Sequence, residues 1–327
     1  MSIVHISSRL LSTIKHYVAY GSAILLPLLI AFILVFLGNS LREPFDPPLM
    51  LWNTPQLEPV QFVSVEAMES YFQQISYIWI PAPGASVPLI ELSTIPAGIG
   101  QVKDVSRKKS IFFRILLPLV IEENNFIQAQ RSLLLKLSQK LTSEWSANER
   151  LWFLELLTWY RLSEQQPNPA LFTELLSRVD SIPTDLVLAQ AANESGWGTS
   201  RFARAGNNLF GMWTYDEKKG LIPKNRAKGE KHAVRIFSSL RDSVRVYMRN
   251  LNTHTAYQLL RDSRALSRSQ GKEPEGWKLA PGLLKYSSRG KNYVAELQSM
   301  IKGNQLALVT LLSLRLAAVT HHQQFEP

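Results

Sequence analysis

Apolar positions are spaced differently in successive parts of the chain. Residues 17–37 carry no charged side chain and are dominated by Leu, Ile, Ala, Val and Phe. As a helix such a run is about 30 Å long, enough to cross a bilayer core. Residues 39–59 hold Pro44, Pro47, Pro48, Pro55 and Pro59 and read as an extended spacer. Residues 60–100 are ambiguous. A short helix fits 65–72, and Pro83, Gly84, Pro88 and Pro96 then punctuate a segment that either orders against the helical domain after it or stays loose. From residue 111 the period becomes helical. Over 126–141 it puts Ile127, Leu134, Leu137 and Leu141 on one side, away from Arg131, Lys136 and Lys140. Asn148 and Glu149 open a second helix with Trp152, Phe153, Leu156, Leu157 and Trp159, and Leu171, Leu175 and Val179 mark a third.

The next helix begins at Pro183, with Asp185 in its first turn, where an acid suits the positive helix end. Leu186, Val187, Leu188, Ala189, Ala191 and Ala192 make it apolar on most sides, so burial is expected, and Gly196 and Gly198 end it. Residues 212–215 and 232–237 read as strands, the latter with Val234 and Ile236 on one side, around a polar loop at 216–231. Ser239 or Asp242 opens a helix carrying Val244, Tyr247, Met248 and Leu251. The apolar run 306–319 contains Arg315 and is short for a second crossing; it reads as a helix packed on the domain or lying at a membrane surface. The chain is thus mainly α, of α+β type.

Charge orients the first segment. Arg9, Lys15 and His16 precede it, whereas Arg42 after it is offset by Glu43 and Asp46. The positive-inside rule makes 1–16 a cytoplasmic stub, 17–37 an anchor in the lipid bilayer, and the remainder exported. A cleaved signal peptide is the competing reading, and 36–41 (FLGNSL) matches its cleavage pattern poorly. The chain has no cysteine, which excludes disulfides and thiolate chemistry, and its net charge of +10 favours acidic partners. Basic residues are scattered apart from short clusters such as Arg107, Lys108 and Lys109, so nucleic acid is not an expected partner. His232 and His254 lack metal-ligand spacing, and no glycine-rich phosphate loop or Ser-His-Asp signature occurs. No metal or cofactor is expected.

The candidate chemistry centres on Glu194, in the last turn of the buried helix. Desolvation and the negative helix end both disfavour its charged form. A carboxyl held protonated near neutral pH is what a glycosidase general acid needs. A carboxylate paired with Arg201 or Arg204 is the alternative. Trp197 is either a core plug or a sugar platform. Asn207 and Asn208 are turn formers or amide ligands of a sugar, and Phe210 and Trp213 divide between packing and groove lining.

The words AQAANESGWGTSRFA (189–203) and GNNLFGMW (206–213) resemble the glucosaminidase family of peptidoglycan hydrolases, and most closely its bacterial Bax-type branch. Weaker matches continue in HAVRIF (232–237), AYQLLR (256–261) and LLKYSSRGKNYVAEL (283–297). The resemblance implies a lysozyme-like fold at 181–301, with a helical lobe and a small β-lobe flanking a sugar groove. It is preceded by a tether at 38–110 and a helical part at 111–180, and followed by an apolar helix and tail at 302–327. It implies an endo-β-N-acetylglucosaminidase in the periplasm, anchored to the inner membrane and acting on peptidoglycan glycan strands. Glu194 would be the acid and Tyr293 a second catalytic residue, its phenol bonding an N-acetyl group or a water. Tyr286, Trp197, Asn207, Asn208, Phe210 and Trp213 would bind substrate. Glu230 and Glu217 are weaker candidates for a second carboxylate; a route through the substrate's own N-acetyl group needs none. A muramidase or lytic transglycosylase, and a non-catalytic wall-binding scaffold, are the alternatives.

Overall fold

A computed structural model describes residues 57–315 except 83, 164, 165, 225 and 228. The anchor read at 17–37 lies outside the described residues. Among those residues no helix is long and apolar enough to cross a membrane.

The centre of the fold is a long helix, α2 (Val105–Ser138), capped by the Asp104 carboxylate on the Arg107 N–H at 2.6 Å. From Ile111 to Glu123 every side chain is buried, so the helix is enclosed on all faces. It continues through Pro118, which has no N–H for the carbonyl four residues earlier. That carbonyl, of Arg114, instead accepts the Tyr77 hydroxyl at 3.2 Å. The sequence reads as helical from residue 111, with the apolar side continuing over 126–141. The observed helix starts earlier and stops at Ser138, which leaves Leu141 outside it and 69% exposed.

Tyr77 comes after α1 (Val65–Gln74), a helix with the Ser64 hydroxyl as its N-cap. Strand β1 (Glu58–Val60) pairs in parallel with β3 (Ile90–Leu92), and β2 (Ser86–Pro88) pairs in parallel with β7 (Ser313–Arg315). Residues 57–103 are therefore part of the packed body. Leu57, Met68, Phe72, Val87 and Ile99 all join its core. After residue 302 the described chain forms a 3-10 turn (Leu306–Val309) and then β7, where the sequence suggests a helix. The break falls at Gln305, in the left-handed region at φ 54°.

Helices α3 (Ala147–Trp159) and α4 (Pro169–Arg178) come after α2. Ser146 and Glu149 form a reciprocal capping box at the start of α3. Helix α5 (Thr184–Ser195) is buried along most of its length and packs on α2. Asp185 in its first turn accepts the Leu186 N–H at 2.8 Å, yet burial pushes its carboxyl up to about 6. Helix α6 (Arg201–Gly206) leads to a three-stranded antiparallel sheet in the order β4 (Trp213–Thr214), β6 (Ala233–Arg235), β5 (Gly220–Leu221). The third strand, β5, falls inside the stretch read as a loop. Val234 is buried, but Ile236 lies beyond the strand and is exposed.

Helix α7 (Leu240–Thr253) is tied to α2 by buried charge. Glu123 accepts from Arg241 Nε at 2.9 Å and Arg245 Nη2 at 2.8 Å, and Glu122 and Glu91 also face Arg241 at 3.4 and 3.6 Å. Burial pushes the Glu122 and Glu91 carboxyls up, against the opposing guanidiniums. Removing one partner of such a set strands the others without water. The body closes with α8 (Gln258–Ser269), the short α9 (Gly276–Leu279), a 3-10 turn (Ala280–Leu283) and α10 (Lys291–Gly303).

The turn after α9 lies directly on α8. A Cβ at Gly282 would sit 2.5 Å from Leu260 Cα and 2.6 Å from Leu260 N, a main-chain collision no rotamer relieves. Gly282→Ala is expected to destabilise the protein by about 1–3 kcal/mol. Gly303→Ala meets nothing within 4 Å and should be close to neutral. Denaturant unfolding of both variants checks the contrast.

Candidate active site around Glu194

Three successive left-handed residues end α5: Gly196 (φ 57°), Trp197 (φ 60°) and Gly198 (φ 75°). The Gly196 N–H returns to the Ala192 carbonyl, and the Ser195 hydroxyl accepts the Gly198 N–H at 2.9 Å. Glycine supplies two of these conformations without strain; Trp197 takes the third against its preference. Its ring is held edge-on by Phe112 and Phe113, with centroids at 5.9 and 5.3 Å. Trp197 is half-buried: it packs on α2 and also borders a surface groove.

This abrupt end leaves Glu194 half-buried, with its Oε1 atom shielded from solvent and without a hydrogen-bond partner. Burial pushes the carboxyl above the usual carboxylate range. The neighbouring Tyr293 hydroxyl and the charge of Arg289 pull it down, and the charge of Glu296 pushes it up again. Neither Arg201 nor Arg204 is its partner; the Arg201 guanidinium bonds the Ile222 carbonyl at 2.7 Å.

Tyr293 lies on α10, fully buried, at the end of a hydrogen-bonded run through Gln190. Tyr247 donates to Gln190 Oε1, and Gln190 Nε2 donates to the Tyr293 oxygen at 2.8 Å. With its oxygen accepting from Gln190, Tyr293 has its own proton left for Glu194. The polarity of the run is thus set from Tyr247 towards the acid. Ring stacking fixes the members. Phe210 lies on Tyr247 at 3.8 Å and 7°, and Tyr286 lies on Tyr293 at 5.7 Å and 1°. The Tyr286 hydroxyl donates to the Phe210 carbonyl at 2.9 Å, and the Arg289 guanidinium lies 5.2 Å from the Tyr293 ring centre.

Several side chains read as sugar ligands are engaged elsewhere. Asn207 takes a left-handed conformation at the end of α6 and donates to the Phe237 carbonyl at 3.1 Å. Asn208 gives both amide hydrogens to main-chain carbonyls, of Met212 and Arg235, each at 2.8 Å, and accepts the Met212 N–H. Asn208 holds the loop to β6, and Asn207 holds it to the residues after that strand. Phe210 and Tyr286 are packing residues within the aromatic cluster. Trp213 is different: it is 60% exposed and stacks on His232 at 4.4 Å, an open aromatic face on the sheet. Gly211 is the loop residue that approaches the acid. A Cβ there would lie 4.0 Å from Glu194 Oε2.

The two carboxylates read as possible partners do not join Glu194. Glu217 is paired with Arg226 at 2.6 Å, and the exposed Glu230 reaches His232 at 3.4 Å. The carboxylate that acts on the titration of Glu194 is Glu296, held by Arg289. Gln190, Tyr247, Arg289 and Glu296 escaped the sequence reading. For Gln190 a signal existed: a buried amide one turn before Glu194, in a helix otherwise apolar, has to be paired. Among the described residues no group of three or more His, Asp or Glu converges to hold a metal.

The family model for glucosaminidases, described as mannosyl-glycoprotein endo-beta-N-acetylglucosaminidase, matches residues 170–306. That span includes Glu194, Tyr293 and the whole run between them. The protein bax of Escherichia coli (strain K12) is 36% identical over 225 residues, covering 68% of this chain and 76% of that protein. No solved structure matches.

The Tyr293 hydroxyl lowers the Glu194 pKa, so its removal should raise it further. In Tyr293→Phe the Glu194 carboxyl is expected to titrate at higher pH than in the wild type, and Gln190→Leu should move it the same way by a smaller amount. Carbon-13 NMR titration of labelled glutamate reads this directly.

Proposed function

Because the chain belongs to the glucosaminidase family, in its Bax-type branch, we propose that it is a peptidoglycan hydrolase that cleaves the β-1,4 bond after N-acetylglucosamine, with Glu194 as general acid. The observation that carries this reading is the state of Glu194: half-buried, one oxygen unpartnered, its pKa raised by desolvation. Burial shifts this carboxyl towards its protonated form, the form a general acid needs to protonate the leaving glycosidic oxygen. Tyr293 orients the carboxyl and, once the proton has left, stabilises the carboxylate through its hydrogen bond. The same carboxylate then takes a proton from the incoming water, as microscopic reversibility requires.

The position of Glu217 and Glu230, each with a basic partner and neither acting on Glu194, favours the route in which the substrate's acetamido oxygen attacks the anomeric carbon. That route proceeds with net retention, whereas a water activated across the groove inverts. The reading extends to location: residues 17–37 anchor the chain in the inner membrane, with the catalytic domain in the periplasm.

Digestion of purified sacculi tests the chemistry. The wild type is expected to release fragments with N-acetylglucosamine at the reducing end, initially as the β-anomer by proton NMR. Glu194→Gln should lose at least about a hundredfold in rate, the contribution typical of a general acid. Muramic acid or anhydro ends would instead indicate a muramidase or lytic transglycosylase, and equal clearing by both proteins would remove Glu194 from the chemistry. For the anchor, the full chain should stay with membranes after carbonate washing; a soluble, shortened product would exclude it.

A further inference from the structure

An open groove of about 630 Å³ runs from the end of α5 along the outer face of α10. It starts beside the acid: Asn193 precedes Glu194 in the chain, and Glu296 on the opposite wall acts on its titration. The floor is Ala295, Ser299 and Gly303, spaced four residues apart on α10, and none of these extends far from the helix. A ligand main chain can therefore approach the helix closely.

The polar groups around this floor are poorly matched to one another. Asn193 lines the groove, and its Nδ2 is shielded and has no hydrogen-bond partner; turning the amide towards a ligand acceptor would satisfy it. Lys109 projects from α2 with its ammonium 5.0 Å from the Trp197 ring centre, and it has no carboxylate partner among the described residues. Glu296 cannot serve fully as its counter-ion, because Arg289 already holds that carboxylate. The groove thus offers an unneutralised cation and an unpaired amide donor over a floor of small residues.

Sugar hydroxyls and acetamides are neutral and leave the Lys109 charge unanswered. A short peptide ending in carboxylates supplies both an anion and main-chain acceptors. We propose that this groove binds the acidic peptide carried on the glycan strand, so that the protein recognises peptide-bearing wall polymer over bare glycan. The proposal rests on the reading of the chain as a wall-glycan hydrolase. It adds that one part of the substrate lies along α10 while the scissile bond lies at Glu194.

The test measures retention of the full-length Glu194→Gln protein, in detergent, on intact sacculi and on sacculi whose peptides have been removed by an amidase. Two further substitutions are made in that background. Lys109→Gln removes the cation. Gly303→Leu fills the groove at a position where a Cβ meets nothing within 4 Å, so the fold tolerates it and the net charge is unchanged. This second variant separates groove occupancy from the general attraction of a protein with net charge +10 to an acidic polymer. Removing the peptides is expected to weaken binding roughly tenfold, the worth of one charge-assisted contact. Each substitution should weaken binding to intact sacculi by a similar factor and have little further effect on stripped ones. Equal affinity for both polymers, an equal loss by the variants on both, or no retention on either would overturn the proposal. Wild-type digestion distinguishes the two ideas. Cleavage without peptide-dependent binding leaves the hydrolase and removes the groove. Peptide-dependent binding without cleavage leaves the groove and removes the hydrolase.

Discussion

Gln190 is a polar side chain inside a helix that is apolar almost all round, and the geometry of the site depends on how its two ends are satisfied. The oxygen takes the Tyr247 proton and the nitrogen gives one to Tyr293. That arrangement spends the acceptor capacity of Tyr293 on the helix and leaves its proton for Glu194. A buried amide with either end unmet would cost about as much as the whole run contributes, so α5, α7 and α10 are held in one mutual orientation. The aromatic stacks of Phe210 on Tyr247 and Tyr286 on Tyr293 occupy the space beside the run and keep water from replacing its members.

Around this link the structure pairs most of its buried charge, and beside the acid it leaves two neighbouring polar atoms unmet. Glu122 and Glu123 bind α2 to α7 through Arg241 and Arg245, well inside the body. At the far end of α5, Glu194 Oε1 and Asn193 Nδ2 are both shielded and both lack partners. Two adjacent residues that leave polar atoms unmet are a local cost that packing elsewhere must offset. Their coincidence with three left-handed residues and an open groove marks the end of α5 as the part of the molecule that departs from what stability alone would select.

Much of the architecture was legible because it rests on local signals. The helix at 184–195 arises from a proline at its start, unbroken apolar residues and two terminal glycines, and it appears where those signals put it. Glu194 stands out as the acid of interest through its place in that helix. The continuity of α2 through Pro118 rests on a distant group, since the Tyr77 hydroxyl occupies the orphaned Arg114 carbonyl. Residues 57–103 read as partly loose because their strands are three residues long; they order by pairing with each other and with 313–315. No periodicity in so short a strand announces a partner more than two hundred residues away.

By itself the sequence determined the mainly helical composition, the buried helix and its abrupt end, and the presence of one acid in that end, since each depends on residues within a few turns of one another. Only the tertiary structure decided what surrounds the acid. Asn207 and Asn208, adjacent to the aromatic word and well suited to sugars, are used to hold a loop. Tyr293 is directed to Glu194, and the carboxylate that Glu194 senses is Glu296 rather than one in the sheet region. These outcomes depend on which donor reaches which acceptor across some hundred residues of chain. Hydrogen bonds and burial act through space, and a linear pattern carries the residue types for them without carrying the distances.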